Sequence, residues 1–261
     1  MNGALYVAKT GLSAQDTQLK VISNNLANVS TVGFKKDRAV FEDLLYQIRR
    51  QPGADSADGT QLPSGLQLGN GVRVVGTQKQ FTSGEVQITD QPFDVAIDGK
   101  GFFQVTLPNG DTAYTRNGQF HLNGNNQVTT AEGFLIEPAL TLPDQVTNFT
   151  VGVDGTVQVT VAGNPAPQDI GQLNLADFVN PAGLQAIGQN LFSETAASGA
   201  PTVTIPGQNG VGQTRQQMLE GSNVNSVEEL VNLITTQRAY EINSKVISTA
   251  DEMLGFVNQQ L

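Results

Sequence analysis

The sequence predicts an α+β fold in which N- and C-terminal helices pair as a coiled coil around a central antiparallel β-rich domain. Two observations carry that prediction. All eleven prolines lie between Pro52 and Pro206, so both ends lack the residue that breaks helices. Both ends also place apolar residues three and four apart, whereas the middle alternates over short runs divided by turn residues.

The first helix is expected from Asn2 to Asn28, with Leu5, Ala8, Leu12, Gln15, Leu19, Ile22 and Leu26 in one seam. Gly3 and Gly11 weaken it, each by about 1 kcal/mol relative to alanine. A turn at Asn28–Gly33 ends it. A second helical stretch is expected over Arg38–Arg50, with Val40, Leu44, Leu45 and Ile48 near one side. Residues 51–71 hold two prolines, five glycines and few large apolar groups, and read as an extended, loosely structured excursion.

From Val72 onward, strands are expected at Arg73–Gln78, Glu85–Thr89, Phe93–Ile97, Phe102–Leu107, Asp111–Thr115, Gln119–Leu122, Gln127–Thr130 and Phe134–Ile136. Pro108-Asn109-Gly110 and Asn123-Gly124-Asn125-Asn126 are hairpin turns. Asp154-Gly155 joins Val151–Val153 to Thr156–Val161, and Ile170–Leu175 is the expected neighbour. The last helix has two capping registers, Ser226 with Glu229 and Asn225 with Glu228, and continues past Leu254. It carries two adjacent stripes: Ala239, Ile242, Val246, Thr249, Met253 and Phe256, and beside them Ile247, Ala250, Leu254 and Val257. So wide an apolar surface needs neighbours on more than one side, which predicts ends that are mobile in the monomer and ordered in an assembly.

A net charge of −10 disfavours nucleic acid and anionic membrane as partners, because a phosphate binder needs a basic face. Residues 1–50 hold seven Lys/Arg against four Asp/Glu, a local +3; residues 215–261 hold three against six, a local −3. Opposite signs favour pairing the ends, although an exposed ion pair is worth only about 0–1 kcal/mol. The absence of cysteine excludes disulfides, thiolate catalysis and thiolate metal sites. No segment approaches the roughly 20 apolar residues of a membrane span, and Lys9, Asp16 and Lys20 interrupt any secretory leader. Composition alone therefore reads as cytosolic.

Catalytic and metal signals are weak. His121 is the only histidine and lies in an expected strand, so no multi-imidazole site can form within one chain. Asp90, Asp94 and Asp98 lack the spacing of a calcium loop. Gly69-Asn70-Gly71 and Gly99-Lys100-Gly101 lack the full phosphate-loop pattern and open no helix, so they are turns. Asn28-Val29-Ser30 and Asn148-Phe149-Thr150 match the glycosylation sequon without a secretory context. The basic trio Lys35, Lys36 and Arg38 is too small for a nucleic-acid surface and is expected to pair with a neighbouring chain's acids. No metal, cofactor or catalytic residue is predicted.

The terminal runs carry a resemblance. Val21-Ile22-Ser23-Asn24-Asn25-Leu26-Ala27-Asn28-Val29-Ser30-Thr31-Val32-Gly33-Phe34-Lys35 resembles the N-terminal signature of bacterial flagellar rod and hook proteins. Ser222-Asn223-Val224-Asn225, Glu228-Glu229-Leu230-Val231 and Thr236-Gln237-Arg238-Ala239-Tyr240-Glu241-Ile242-Asn243-Ser244-Lys245 resemble its C-terminal signature. The motif positions carried over are Asn24, Asn25, Leu26, Asn28, Gly33, Phe34, Asn223, Gln237, Arg238, Tyr240 and Asn243. Between them, Arg38–Tyr46, Leu62–Gly69, Gly71–Arg73, Asp94–Ile97 and Gly101–Phe103 are similar to the distal-rod branch of the family, so the resemblance covers essentially the whole chain. Tyr6 and the opening Met1-Asn2-Gly3 depart from the pattern.

The resemblance implies a structural subunit, not an enzyme, in a self-assembling hollow rod that crosses the periplasm and transmits motor torque to the hook. Residues 1–34 with 222–261 would build the inner tube, 35–71 a helical or extended excursion, and 72–221 the β-rich outer domain. The assembly interface is expected at Leu5, Leu12, Leu19, Ile22, Leu26, Leu230, Ile234, Ile242, Val246 and Met253. The implied partners are copies of the chain, proximal rod subunits, hook or junction proteins, the P- and L-ring proteins, the rod cap and the flagellar export apparatus. The implied location is the basal body, reached by type III export without a cleaved signal, which replaces the cytosolic reading. The alternatives are a proximal rod subunit and a glycan-acting β-rich enzyme using Asp94 and Asp98.

Overall fold

The computed structural model describes residues 2–51, 55–57, 60–61 and 64–259; the expected excursion at 51–71 lies partly outside them. The chain divides into two compact units, one of residues 1–27, 37–78 and 225–261, the other of residues 28–36 and 79–224.

In the first unit, helix α1 (Asn2–Ala27) packs beside helix α2 (Ser226–Gln259). Ala4 lies with Ile242, Val246 and Met253 around one notch and Gly11 faces Asn243, so the helices run antiparallel. The α1 seam is on the covered side: Ala8 and Ile22 are buried, and Leu5, Leu12, Gln15, Leu19 and Leu26 are half-buried. Gly11 is more than a weak point. A Cβ there would stand 3.3 Å from Asn243 Nδ2, so the glycine admits that side chain between the helices.

The partner face of α2 is not the expected one. Glu229, Thr236 and Ala250 are buried, with Leu233, Ala239, Asn243 and Ile247 half-buried, whereas Ile242 is 64% and Met253 52% exposed. Thr236, Ala239, Asn243 and Ala250 on this face let the backbones approach, with Leu233 and Ile247 packed beside them; Ile242, Val246 and Met253 of the expected stripe are turned outward. Ile247 and Ala250, of the second stripe, lie on the covered side. The N-cap also follows the second of the two registers, since Asn225 Oδ1 accepts hydrogen bonds from Val227 N (3.0 Å) and Glu228 N (3.2 Å).

Residues 38–50 are strands rather than a helix. Asp37–Asp43 pairs with Val72–Lys79, and Gln47–Arg50 pairs antiparallel with Leu66–Leu68. Val40, Phe41, Tyr46 and Ile48 favour an extended chain, and the apparent helical stripe had no core to bury it: Leu45 is 88% exposed. The described part of the excursion is likewise ordered, as a ribbon in which Asp55–Ala57 also pairs with Thr60–Gln61. At its base, Leu44 N donates to Gly71 O (2.9 Å) and Val72 N to Thr10 Oγ1 (3.3 Å).

The second unit is antiparallel throughout, as expected. Seven strands form one sheet in the order 120–122, 128–130, 135–137, 103–106, 112–115, 191–193, 185–188. Strands 146–151, 156–161 and 164–172 form another, and 95–98 pairs with 213–216, 86–88 with 218–220 and 175–177 with 202–204. The middle of the large sheet is covered on both faces, and the two-residue period shows it. Phe103, Ala113, Leu175 and Leu191 enter one core with Val105, Val157 and Val159; their neighbours Phe102, Tyr114, Ala176 and Phe192 enter a second with Phe178. In that second core Tyr114 meets Phe178 edge-on, 4.8 Å between ring centres.

Burial and the nearby carboxylates of Glu194 and Glu137 push the Tyr114 hydroxyl from 10.0 up to about 12. The folded state therefore holds this proton more tightly than the unfolded chain does. The stabilisation is fully present below pH 10 and is lost as pH rises towards about 12. An absorbance titration of phenolate formation should show a late step that Tyr114→Phe removes, together with the accompanying loss of stability.

Candidate functional site

The densest polar constellation in the second unit lies where residues 28–36, which follow α1 in the chain, meet residues 216–224, which precede α2. Three charged side chains are buried there together. The Glu220 carboxylate receives Lys35 Nζ at 2.6 Å on one oxygen and Arg116 Nη1 at 3.1 Å on the other. Gly84 N adds a third bond to Oε1 at 2.9 Å. Lys35 Nζ also donates to Thr82 O (2.8 Å), and Arg116 Nη2 to Gly99 O (2.8 Å), with the guanidinium 5.3 Å from the centre of the Phe102 ring. Burial pushes the Lys35 ammonium and the Arg116 guanidinium below their ordinary values, and the Glu220 charge opposes that push in both.

Local backbone geometry delivers these groups. Gly33 has φ +68°, and a Cβ there would come within 2.7 Å of the Arg116 carbonyl carbon, so only glycine fits the approach. Its N–H donates to Glu220 O (2.8 Å), fixing the acid's backbone as well as its side chain. Phe34 is buried next to it, with Lys79 Nζ 5.3 Å from its ring centre. Asn223 then joins three segments: its Oδ1 accepts from Lys36 N (2.7 Å), and its Nδ2 donates to Gln80 O (2.8 Å) and Thr82 Oγ1 (2.9 Å). Asn190 Nδ2 donates to Val32 O (2.9 Å), and Asn28 Oδ1 accepts from Thr31 Oγ1 (3.1 Å).

The structure thus gathers Gly33, Phe34 and Asn223 around the triad, while Asn28 is bonded to Thr31 in the turn that precedes Gly33. Asn25 works separately, in the first unit, where it is buried and exchanges two bonds with Asp37: Nδ2 to Asp37 O and Asp37 N to Oδ1, each 2.9 Å. Asn243 sits against Gly11, while Asn24, Gln237, Arg238 and Tyr240 lie on exposed positions of the two helices, away from the triad in sequence. Lys35 overturns one expectation. It is not a surface cation awaiting another chain, because Glu220 of the same chain neutralises it. Arg116 and Glu220 escaped sequence reasoning altogether, since 104 residues separate them and only a charge embedded in a strand-forming run hinted at either.

Nothing at this site resembles reaction machinery. Its carboxylate is saturated by donors and has no water-facing side. Asp94 and Asp98 flank a single strand, about 13 Å apart along it, too far for paired acid and base carboxylates, and Asp98 is bound to Arg215 at 2.6 Å. His121 is exposed on its strand. Among the described residues no group of three or more His, Asp or Glu could hold a metal ion, and no helix is long and apolar enough to cross a membrane.

Three family models match the chain: a flagella basal body rod protein model over residues 5–35, the flagellar hook protein FlgE/F/G D1 domain over 96–159, and the flagellar basal body rod FlgEFG protein C-terminal model over 215–260. The first and last contain the α1 and α2 signatures. The chain is 56% identical over 256 residues to the flagellar basal-body rod protein FlgG of Buchnera aphidicola subsp. Schizaphis graminum, covering 98% of each. It is 50% identical over 257 residues to the FlgG of Caulobacter vibrioides, again covering 98% of each. The flagellar hook-basal body complex protein FlhP of Bacillus subtilis is 30% identical over 268 residues.

Glu220→Gln should leave two buried cations without a counter-charge and destabilise the second unit by about 3–5 kcal/mol. Combining it with Lys35→Met should recover part of that loss. Denaturant unfolding of the full chain measures both; a single variant within about 0.5 kcal/mol of the parent would deny the triad its structural role.

Proposed function

This chain belongs to the flagellar basal-body rod and hook protein family, and on that premise we propose that it is a distal rod subunit whose copies assemble helically into a rigid hollow shaft carrying motor torque to the hook. The family is structural, and the chain is a component of the flagellar basal body. The observation that carries the finer reading is the outward face of α2. Val227, Leu230, Val231, Ile234, Ile242, Val246, Met253 and Phe256 are each between 45% and 68% exposed. All eight fall on one side of α2 and are spread over residues 227–256, roughly 45 Å of helix.

A face so long and apolar is costly to leave in water and supports contact with further copies of the chain. Covering the exposed half of one such side chain recovers about 1 kcal/mol, so the energy scales with the number of neighbours. In this division of labour, Leu5, Leu12, Leu19, Ile22 and Leu26 hold the helix pair together, while Leu230, Ile234, Ile242, Val246 and Met253 meet other subunits. An apolar notch of 370 Å³, lined by Ala4, Ile242, Val246, Ala250 and Met253 among others, offers a receiving surface on the same unit. Ile48, Leu66 and Leu68 on the exposed ribbon extend the argument, since neighbours that cover them would stiffen the polymer. The remaining partners of this reading are proximal rod subunits below, hook or junction proteins above, the P- and L-ring proteins around the shaft, the rod cap at its tip and the export apparatus at its base.

Two measurements test it. Ile242→Asp and Val246→Asp, each in the full chain, should leave helix content and the unfolding midpoint close to the parent, because both sites are solvent-facing, and should abolish swimming. Motile cells carrying either variant would sink the proposed interface. An epitope inserted at the open turn Ala162-Gly163 and located by immuno-electron microscopy separates rod positions: label along the shaft at the level of the outer rings supports a distal subunit. Label confined near the inner membrane would replace that reading with a proximal one.

A further inference from the structure

We propose that Asn209 is a site of spontaneous deamidation, and that it converts first among the asparaginyl-glycine pairs whose side chains the structure describes. The chain has six such pairs, at Asn2, Asn70, Asn109, Asn117, Asn123 and Asn209; the Asn2 side chain lies outside the described residues. The chemistry needs only water. The backbone nitrogen of the glycine attacks Cγ of the asparagine, a new C–N bond closes a succinimide ring, and the amide nitrogen leaves as ammonia. Water then opens the ring at either carbonyl, giving aspartate or isoaspartate. The fold controls the rate through three conditions: a side-chain amide free to swing, a glycine N–H not already donated, and room for the ring.

Four of the five described pairs fail at least one condition. Asn70 Nδ2 is held by Leu45 O at 2.6 Å. Asn109 is tied at both ends to Asp111, and Gly110 N donates to Leu107 O at 2.9 Å. Asn117 Oδ1 accepts from Gln119 N at 3.1 Å, and Gly118 is so enclosed that a Cβ would stand 1.7 Å from Val95 O. Asn123 Oδ1 accepts two backbone N–H groups, from Asn125 and Gln127, each at 2.9 Å. Asn209 differs in every respect. It and Gly210 are exposed, its side chain makes no hydrogen bond among the described residues, and nothing lies within 4 Å of a Cβ placed on Gly210.

Asn209 and Gly210 occupy the two central positions of their turn with φ +52° and +80°, closed by a bond from Val211 N to Gln208 O at 3.0 Å, with Gly207 N donating to Gly212 O at 2.9 Å just outside it. Just beyond, Val211 is buried in the larger core, and Gly212 N donates to Lys100 O at 2.7 Å. Isoaspartate adds a methylene to the main chain at Asn209, so its formation pulls directly on both anchors. Either product adds a negative charge to a chain already at −10.

The test is prolonged incubation of the full chain in mildly alkaline buffer, followed by peptide mass mapping and enzymatic methylation of isoaspartate. The peptide holding Asn209 should convert several-fold faster than those holding Asn70, Asn109, Asn117 and Asn123, and all five should convert at similar rates in denaturant. Asn209→Asp, which has no amide to lose, should abolish the fast phase of ammonia release. The proposal is overturned if another of these pairs leads in the folded chain, if the ranking persists in denaturant, or if the fast phase survives the substitution.

Discussion

The second unit depends on one buried carboxylate. Glu220 is the meeting point of groups that the chain supplies from residues 35, 84 and 116, and 185 residues separate it from Lys35. Closing so long a loop costs only a few kcal/mol more than closing a short one, because the entropic cost grows with the logarithm of length. Leaving two buried cations unpaired costs much more. The triad therefore acts less as a source of net stability than as a constraint on which arrangement is allowed: without Glu220 in place, neither Lys35 nor Arg116 can stay where it is. Gly33 and Gly84 are consequences of that constraint, since each lets a backbone come close enough to serve the acid. Asn223 applies the same logic in neutral form, pairing backbone groups of the first and last segments of the unit that no strand ladder reaches.

In the first unit the governing constraint is steric. Gly11, facing Asn243, brings the two helix backbones close, and the α2 face that fits beside them is the one bearing Thr236, Ala239 and Ala250. Larger side chains would hold the helices apart. Choosing the slim face leaves Ile242, Val246 and Met253 outside, so the intramolecular packing and the outward stripe are two results of one decision. A helix that used its bulkiest residues on its own partner would have little left to offer a neighbour.

Legibility in the sequence followed this distinction. The local hairpins could be read because each depends on neighbours within ten residues or so: Asn109-Gly110 and Asp154-Gly155 stand between alternating runs, and the hairpins follow, whereas the pairing of 95–98 with 213–216 and of 86–88 with 218–220 left no local mark. The α1 seam could be read because that helix has one dominant apolar stripe. The face of α2 could not, since two stripes compete and a partner's shape decides between them. Residues 38–50 misled because Val40, Leu44 and Ile48 happen to fall four apart, while the strands that pair with this segment, 72–79 with 37–43 and 66–68 with 47–50, come later in the chain. For the triad, Lys35 in a run of Gly, Phe, Lys and Lys looks like any surface cation until Glu220 is placed beside it. Long-range charge pairing leaves no periodic trace.

Charge placement sharpens the difference between the two kinds of surface. The buried ions are matched within one chain and carry no information for a neighbour. On α2, Arg238, four residues from both Ile234 and Ile242, and Lys245, three residues after Ile242, stand exposed on the side of the stripe, in a segment whose net charge is −3. An apolar stripe without such cations would associate in any register, because hydrophobic contact is non-directional. Two fixed positive charges along it favour registers that bring carboxylates opposite and penalise those that bring cations together. In the proposed shaft, subunits would need a single repeated contact, not merely a sticky one, and the interrupted stripe is better suited to that than an unbroken one would be.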